Sequence, residues 1–137
     1  IKTGPDGVPP ILAVLKASGR TAAELAVISF SAGAVAAAKA ARPDVPAYWI
    51  VSLKPGKGKE APTAAALIAR AKEIRADGLD LSADPALDQA FAAAVKAAGL
   101  KLYVWTVDDP DVARRMVGVG VDGITTNRPG WLRERLK

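Results

Sequence analysis

Few residues in this chain have both the side-chain chemistry and the position to form a site. Lys2, Ser29 with Phe30, Leu53, Trp105 with Thr106, and Thr126 with Asn127 all fall at the C-terminal ends of short apolar runs. A lysine there offers a positive charge to an anionic group. Phe30 and Trp105 are suited to forming an apolar wall against a small alcohol, and an indole needs a partner for its N–H wherever it is buried. Trp49 and Trp131 fit packing roles better. The chain has neither histidine nor cysteine. That excludes imidazole acid/base chemistry, imidazole or thiolate metal ligation, and disulfides within these 137 residues.

Three further groupings invite a chemical reading. Asp108, Asp109 and Asp111 resemble a metal cluster on paper, but they stand where a helix begins, and capping explains them better. Asp80 lies inside an apolar run, where it either points into a protein interior or caps a turn. Gly118, Gly120 and Gly123 match G-x-G-x-x-G letter for letter. A dinucleotide loop follows a strand and opens a helix, whereas this one follows a helix and opens a strand. The glycines therefore read as a helix stop and a tight turn. The basic, glycine-rich stretch 54–59 lacks the Gly-Lys-Ser/Thr ending of a P-loop, and is expected as a solvated connection or a loop approaching a substrate.

The elements that must carry these residues recur with a period of roughly 25 residues: apolar run, turn, amphipathic helix. The runs are 25–30, 48–53, 78–81, 102–107 and 121–126. They are nearly continuous in apolar character, as suits parallel strands covered on both faces. Asp84-Pro85 is expected to cap a helix whose stripe is Leu87, Phe91 and Val95, and Asp109-Pro110 to cap one containing Val112 and Met116. Thr63 is expected to cap a third, and Asn127 with Pro129 to open the last. Gly19, Gly99 and Gly118 are placed as helix stops.

Five β/α units in series require right-handed crossovers and a parallel sheet. An open doubly wound sheet and part of a (β/α)₈ barrel both satisfy that. Ile1 to Gly4 reads as the end of a strand, and the helix expected at 10–18 lacks the strand that should precede it. The expectation is a single incomplete α/β domain over residues 1–137: five C-terminal units of a TIM-type barrel plus the tail of a preceding strand. In such a barrel the strand C-termini converge on one pocket.

The net charge is +5, with the densest basic patches at 54–59 and 128–137. Neither alternates basic with aromatic residues, so no nucleic-acid partner is expected. No apolar stretch reaches the roughly 20 residues of a membrane span. Cysteine-free composition decides nothing about compartment.

Two stretches together, Val104-Trp105-Thr106-Val107-Asp108-Asp109-Pro110 and Gly120-Val121-Asp122-Gly123-Ile124-Thr125-Thr126-Asn127-Arg128-Pro129, resemble the end of the glycerophosphodiester phosphodiesterases. In that family the last two strands read V-W-T-V-N and G-V-D-G-I-x-T-D/N-x-P. Val27-Ile28-Ser29-Phe30-Ser31 is similar to its S-F strand end, and Ile1-Lys2-Thr3-Gly4 to the tail of its E-I-K strand. Asp108 stands where the family commonly has Asn, and Asn127 where it more often has Asp.

The resemblance implies a (β/α)₈ barrel that hydrolyses glycerophosphodiesters to glycerol 3-phosphate and an alcohol. It implies a divalent cation, Mg²⁺ or Ca²⁺, held by carboxylates of an E-x-D strand and of E-I-K, with two histidines in acid/base roles. All of these would lie before Ile1, so no metal ligand is expected in this chain and its activity would belong to a longer parent. What carries over is Lys2 as a charge for the phosphate, Trp105 as the wall against glycerol or alcohol, and Phe30 as a second wall. The alternative is a non-catalytic half-barrel that binds a partner or itself through an exposed sheet edge. Another phosphate-handling barrel enzyme is a third possibility by fold analogy.

Overall fold

The structure is a computed structural model that describes residues 1–58 and 60–137. Lys59, the last residue of the basic loop, lies outside the described residues. Strands and helices alternate along the chain: α1 (Val8–Ala17), β1 (Val27–Ser29), α2 (Ala32–Ala41), β2 (Ala47–Val51), α3 (Ala64–Glu73), β3 (Gly78–Ser82), α4 (Gln89–Ala97), β4 (Lys101–Trp105), α5 (Pro110–Val119), β5 (Gly123–Ile124) and α6 (Pro129–Arg135). The five strands form one sheet in the order β1-β2-β3-β4-β5. Every crossover thus returns to a strand's immediate neighbour. A doubly wound sheet would reverse its order at a switch point, so the sequential order is the winding of a barrel wall.

By their internal contacts the residues group into two compact units, one of Ile1–Ile50 with Ala69–Leu79 and one of Val51–Ile68 with Asp80–Lys137. In the first, β1 and β2 pair in parallel with Val27 opposite Ala47 and Ser29 opposite Trp49. Val27, Ala34, Val35, Ala38, Val45 and Ala47 are among its core residues. The alanines of α2 let that helix lie close to the strands, which explains how so alanine-rich a chain packs. Ser31 caps α2 by accepting the Ala34 N–H at 3.2 Å.

A buried charge at the foot of this unit is fully satisfied. Lys39 is only 7% exposed, yet its ammonium donates to Pro43 O (2.8 Å) and Val45 O (3.2 Å) and pairs with Asp77 at 2.9 Å. Asp77 in turn accepts the Ala47 N–H at 2.7 Å. Three acceptors for three ammonium protons is what makes burial of a lysine tolerable.

The second unit is built on β4 and β5, paired in parallel with Tyr103 opposite Gly123. On β4, Leu102 and Val104 are fully buried on one face and Tyr103 and Trp105 stand half-buried on the other. A Cβ at Gly123 would lie 2.8 and 2.9 Å from two ring carbons of Tyr103, so glycine there is the space the tyrosine ring occupies. The rest of the core includes Leu53, Leu67, Leu81, Leu87, Ala92, Val95, Ala113, Met116 and Leu132.

Several expected helix starts and stops sit where the sequence puts them, and three do not. Asp109 accepts the N–H groups of Asp111 and Val112 with Pro110 next in line, and Thr63 accepts from Ala66. Asp84-Pro85 instead forms a turn in which Asp84 accepts the Ala86 N–H at 2.9 Å, and the helix starts later, capped by Asp88 on the Phe91 N–H at 2.8 Å. Leu87 therefore precedes the helix, although it is buried as the stripe required. The stop for α5 is Gly120 and not Gly118, because Gly120 holds the left-handed conformation, φ 91°, while Gly118 lies inside the helix. Pro129 opens α6 as expected, but the residue before it is Arg128, and Asn127 is engaged elsewhere.

Candidate functional site

The C-terminal ends of the strands in the second unit surround a cavity of about 370 Å³. Its lining is Ser52 and Lys54, which follow β2, Ser82 at the end of β3 with Ala83, and Trp105 and Thr106 at the end of β4. Val112 of α5 closes one side. Short polar bonds fix each wall. Ser82 Oγ accepts the Leu53 N–H at 2.8 Å, and Ser52 Oγ accepts the Lys54 N–H at 3.2 Å. The Trp105 indole N–H donates to the carbonyl of Asp80 at 3.0 Å, and Trp105 O accepts the Ala83 N–H at 3.2 Å. The indole's polar edge is thereby tied to the backbone, and its rim is held toward the cavity.

Asp80 lies two residues before Ser82 on β3, so pleating puts both side chains on the same face. The carboxyl is 5% exposed, and its Oδ1 has no hydrogen-bond partner among the described residues. Burial pushes its pKa up to about 6.

Asp108 does not cap the helix that follows it. Its carboxylate accepts the Thr126 hydroxyl, the Asn127 backbone N–H and the Asn127 side-chain amide, each at 2.8 Å. These bonds, the Asn127 side-chain amide's most of all, hold the carboxyl below the usual carboxylate range. The segment after β4 is thus bolted to the segment after β5. The two departures from the family pattern noted above meet in a single hydrogen bond, with carboxylate and amide exchanged between the two positions. Asp108→Asn alone faces an amide with an amide and should lower both thermal stability and whatever activity the site supports. Asp108→Asn combined with Asn127→Asp should recover most of the loss, and failure of the double variant to exceed the single one would refute the exchange.

The remaining sequence-derived candidates divide as follows. Ser29 Oγ donates to Ile1 O at 2.8 Å, which fixes the start of the chain beside the end of β1 and leaves Lys2 there as an exposed side chain. Phe30 is 55% exposed, so it is not core, and its carbonyl accepts the Trp49 indole N–H at 3.1 Å. Lys2 and Phe30 belong to the first unit and Trp105 to the second. Leu53 is 1% exposed and packs in the core; the group that faces the cavity is its neighbour Ser52. Trp131 is flanked by the guanidinium groups of Arg128 and Arg135, 4.7 and 4.1 Å from its ring centre, a surface stack. Asp111 pairs with Arg114. Among the described residues, no group of three acidic side chains stands close enough to hold a metal ion. None of the described helices is long and apolar enough to cross a membrane.

Ser52 and Ser82 were not identified from sequence. Strand alternation was the available signal: the run at 78–81 continues one residue further than its apolar content suggests, and Ser82 is in phase with Asp80.

Comparison with known proteins gives a consistent result. The family model described as "Glycerophosphoryl diester phosphodiesterase family" matches residues 5–131. The Mycobacterium tuberculosis protein "Probable glycerophosphodiester phosphodiesterase 2" is 40% identical over 52 residues, which are 38% of this chain and 20% of that protein. A glycerophosphodiester phosphodiesterase from Parabacteroides distasonis superposes with a TM-score of 0.76 at 24% identity, over 98% of this chain and 54% of that one. An Oleispira antarctica phosphodiesterase, solved in complex with the product sn-glycerol-3-phosphate, gives a TM-score of 0.67 at 24% identity, over 82% of this chain and 41% of that one. The chain thus corresponds to about half or less of the length of these relatives.

Proposed function

The chain belongs to the glycerophosphoryl diester phosphodiesterase family, and from that membership we propose that it contributes the substrate-binding wall of an enzyme that hydrolyses glycerophosphodiesters to glycerol 3-phosphate and an alcohol. The observation that carries this reading is the cavity at the strand C-termini, with the Trp105 indole anchored at its edge, in a chain whose family match covers residues 5–131. That is the end of the barrel wall where this architecture assembles its chemistry.

In this reading Trp105 packs against the glycerol or alcohol moiety, and Phe30 presents a second apolar surface. Lys2 supplies a positive charge to the phosphate, where charge develops as the P–O bond breaks. A divalent cation in the complete enzyme, Mg²⁺ or Ca²⁺, would neutralise phosphate charge. The described residues of this chain do not fit such an ion, and the chain has no histidine, so metal ligands and acid/base groups come from elsewhere in the whole protein.

Two measurements test this. The full-length protein should release glycerol 3-phosphate from glycerophosphocholine or glycerophosphoglycerol, lose that activity on chelation, and regain it with Mg²⁺ or Ca²⁺. The 137-residue chain alone should release none. Absence of glycerol 3-phosphate with the full-length protein would overturn the reading, and activity of the isolated chain would overturn the assignment of the catalytic groups elsewhere.

A further inference from the structure

The cavity's lining carries information about the head group, the part of a diester that distinguishes one substrate from another. Ser52 Oγ and Ser82 Oγ each already accept a backbone N–H, from Lys54 and Leu53 respectively. Each hydroxyl therefore keeps its O–H proton and one lone pair for a ligand. Lys54 belongs to the same lining, and its ammonium has only protons to donate. Thr106 adds a third hydroxyl. The cavity is therefore lined by hydroxyls and one cationic residue, with no carboxylate to balance that charge among the described residues.

We propose that this cavity receives the alcohol part of the substrate and that Lys54 makes it selective for hydroxyl-rich head groups over quaternary ammonium ones. The proposal rests on the phosphodiesterase reading and adds the substrate class. A polyol offers several oxygen acceptors, enough to meet the lysine and the serine hydroxyls together. A trimethylammonium offers no acceptor and brings a positive charge toward another. Recognition of a quaternary ammonium calls for several aromatic faces or a nearby carboxylate. This lining has one aromatic residue, Trp105, with a lysine beside it. The Lys54 N–H bond to Ser52 holds the backbone of the turn from which the lysine side chain extends.

The test compares glycerophosphoglycerol with glycerophosphocholine as substrates of the full-length protein. The native enzyme should favour the glycerol head group by about tenfold in kcat/KM, the scale of one charge-assisted hydrogen bond on a partly exposed group. Lys54→Met should lower kcat/KM for glycerophosphoglycerol by about tenfold and raise that for glycerophosphocholine, because the repulsion of its cation is removed. Lys54→Glu should reverse the preference. Lys54 is exposed, so neither variant threatens the fold, and unchanged melting temperatures would confirm that. Equal use of both substrates by the native enzyme, or a ratio indifferent to Lys54, overturns the selectivity proposal while the phosphodiesterase reading stands. No hydrolysis of either diester overturns that reading and the proposal together.

Discussion

Replacing Asp80 by asparagine should stabilise the protein by about 2 kcal/mol at pH near 7.5 and by almost nothing at pH near 4. The carboxyl is 5% exposed and one of its oxygens has no partner among the described residues. Its ionised form is therefore poorly solvated, and burial raises the pKa to about 6. The sign follows from proton uptake. Below about pH 4 both folded and unfolded chains hold the proton, and the group costs nothing electrostatically. Between about 4 and 6 the unfolded chain releases its proton while the folded chain keeps it, so stability falls as pH rises. Above about 6 the folded chain is ionised too, and the full penalty remains. Asparagine keeps the shape and removes the charge. Urea unfolding of both proteins at the two pH values checks this. A gain of equal size at both would show that Asp80 acts through packing and not through its charge.

Trp105→Ala should be the most damaging single substitution at the site, costing about 3 kcal/mol of stability and raising KM steeply. The indole fills the space beside the cavity, and its N–H satisfies the Asp80 carbonyl at 3.0 Å. Truncation leaves a void and removes the indole's bond to that carbonyl in one step. Trp105→Phe separates the two contributions. It keeps an aromatic wall and loses the hydrogen bond, so a cost near 1 kcal/mol and a smaller rise in KM are expected. Thermal melts and steady-state kinetics of the two variants decide between wall and anchor. If Phe and Ala cost the same, the hydrogen bond is the important part. If both leave KM unchanged, Trp105 is not a substrate wall.

The strands were legible because their apolar content is a direct consequence of being covered on both faces. Helix starts were legible where one residue settles the cap, as at Asp109-Pro110. They were misread where two candidate caps compete. Asp84 has the proline that a helix start favours, but its own side chain closes a turn, and Asp88 takes the helix. Gly118 lost the stop to Gly120 because sequence alone does not show which of two nearby glycines takes the left-handed conformation. For the site, an aromatic at a strand end was a usable signal, and it located Trp105. The serines gave only the weaker signal of strand alternation, and the bond that fixes Ser82, from the Leu53 N–H, comes from a residue far away in sequence. Leu53 was placed at the cavity for the same reason. A shift of one residue along an extended segment carries a side chain from the site to the core.

The bond between Asp108 and Asn127 bears on how such a chain can drift. If the two positions began with the opposite assignment, no single change reaches the present one. A first step to two aspartates would put like charges against each other, whereas a first step to two asparagines only trades a charge-assisted contact for a neutral one. The permissive route runs through the double amide. A position-by-position comparison would score two losses along it, while the contact itself is preserved at either end.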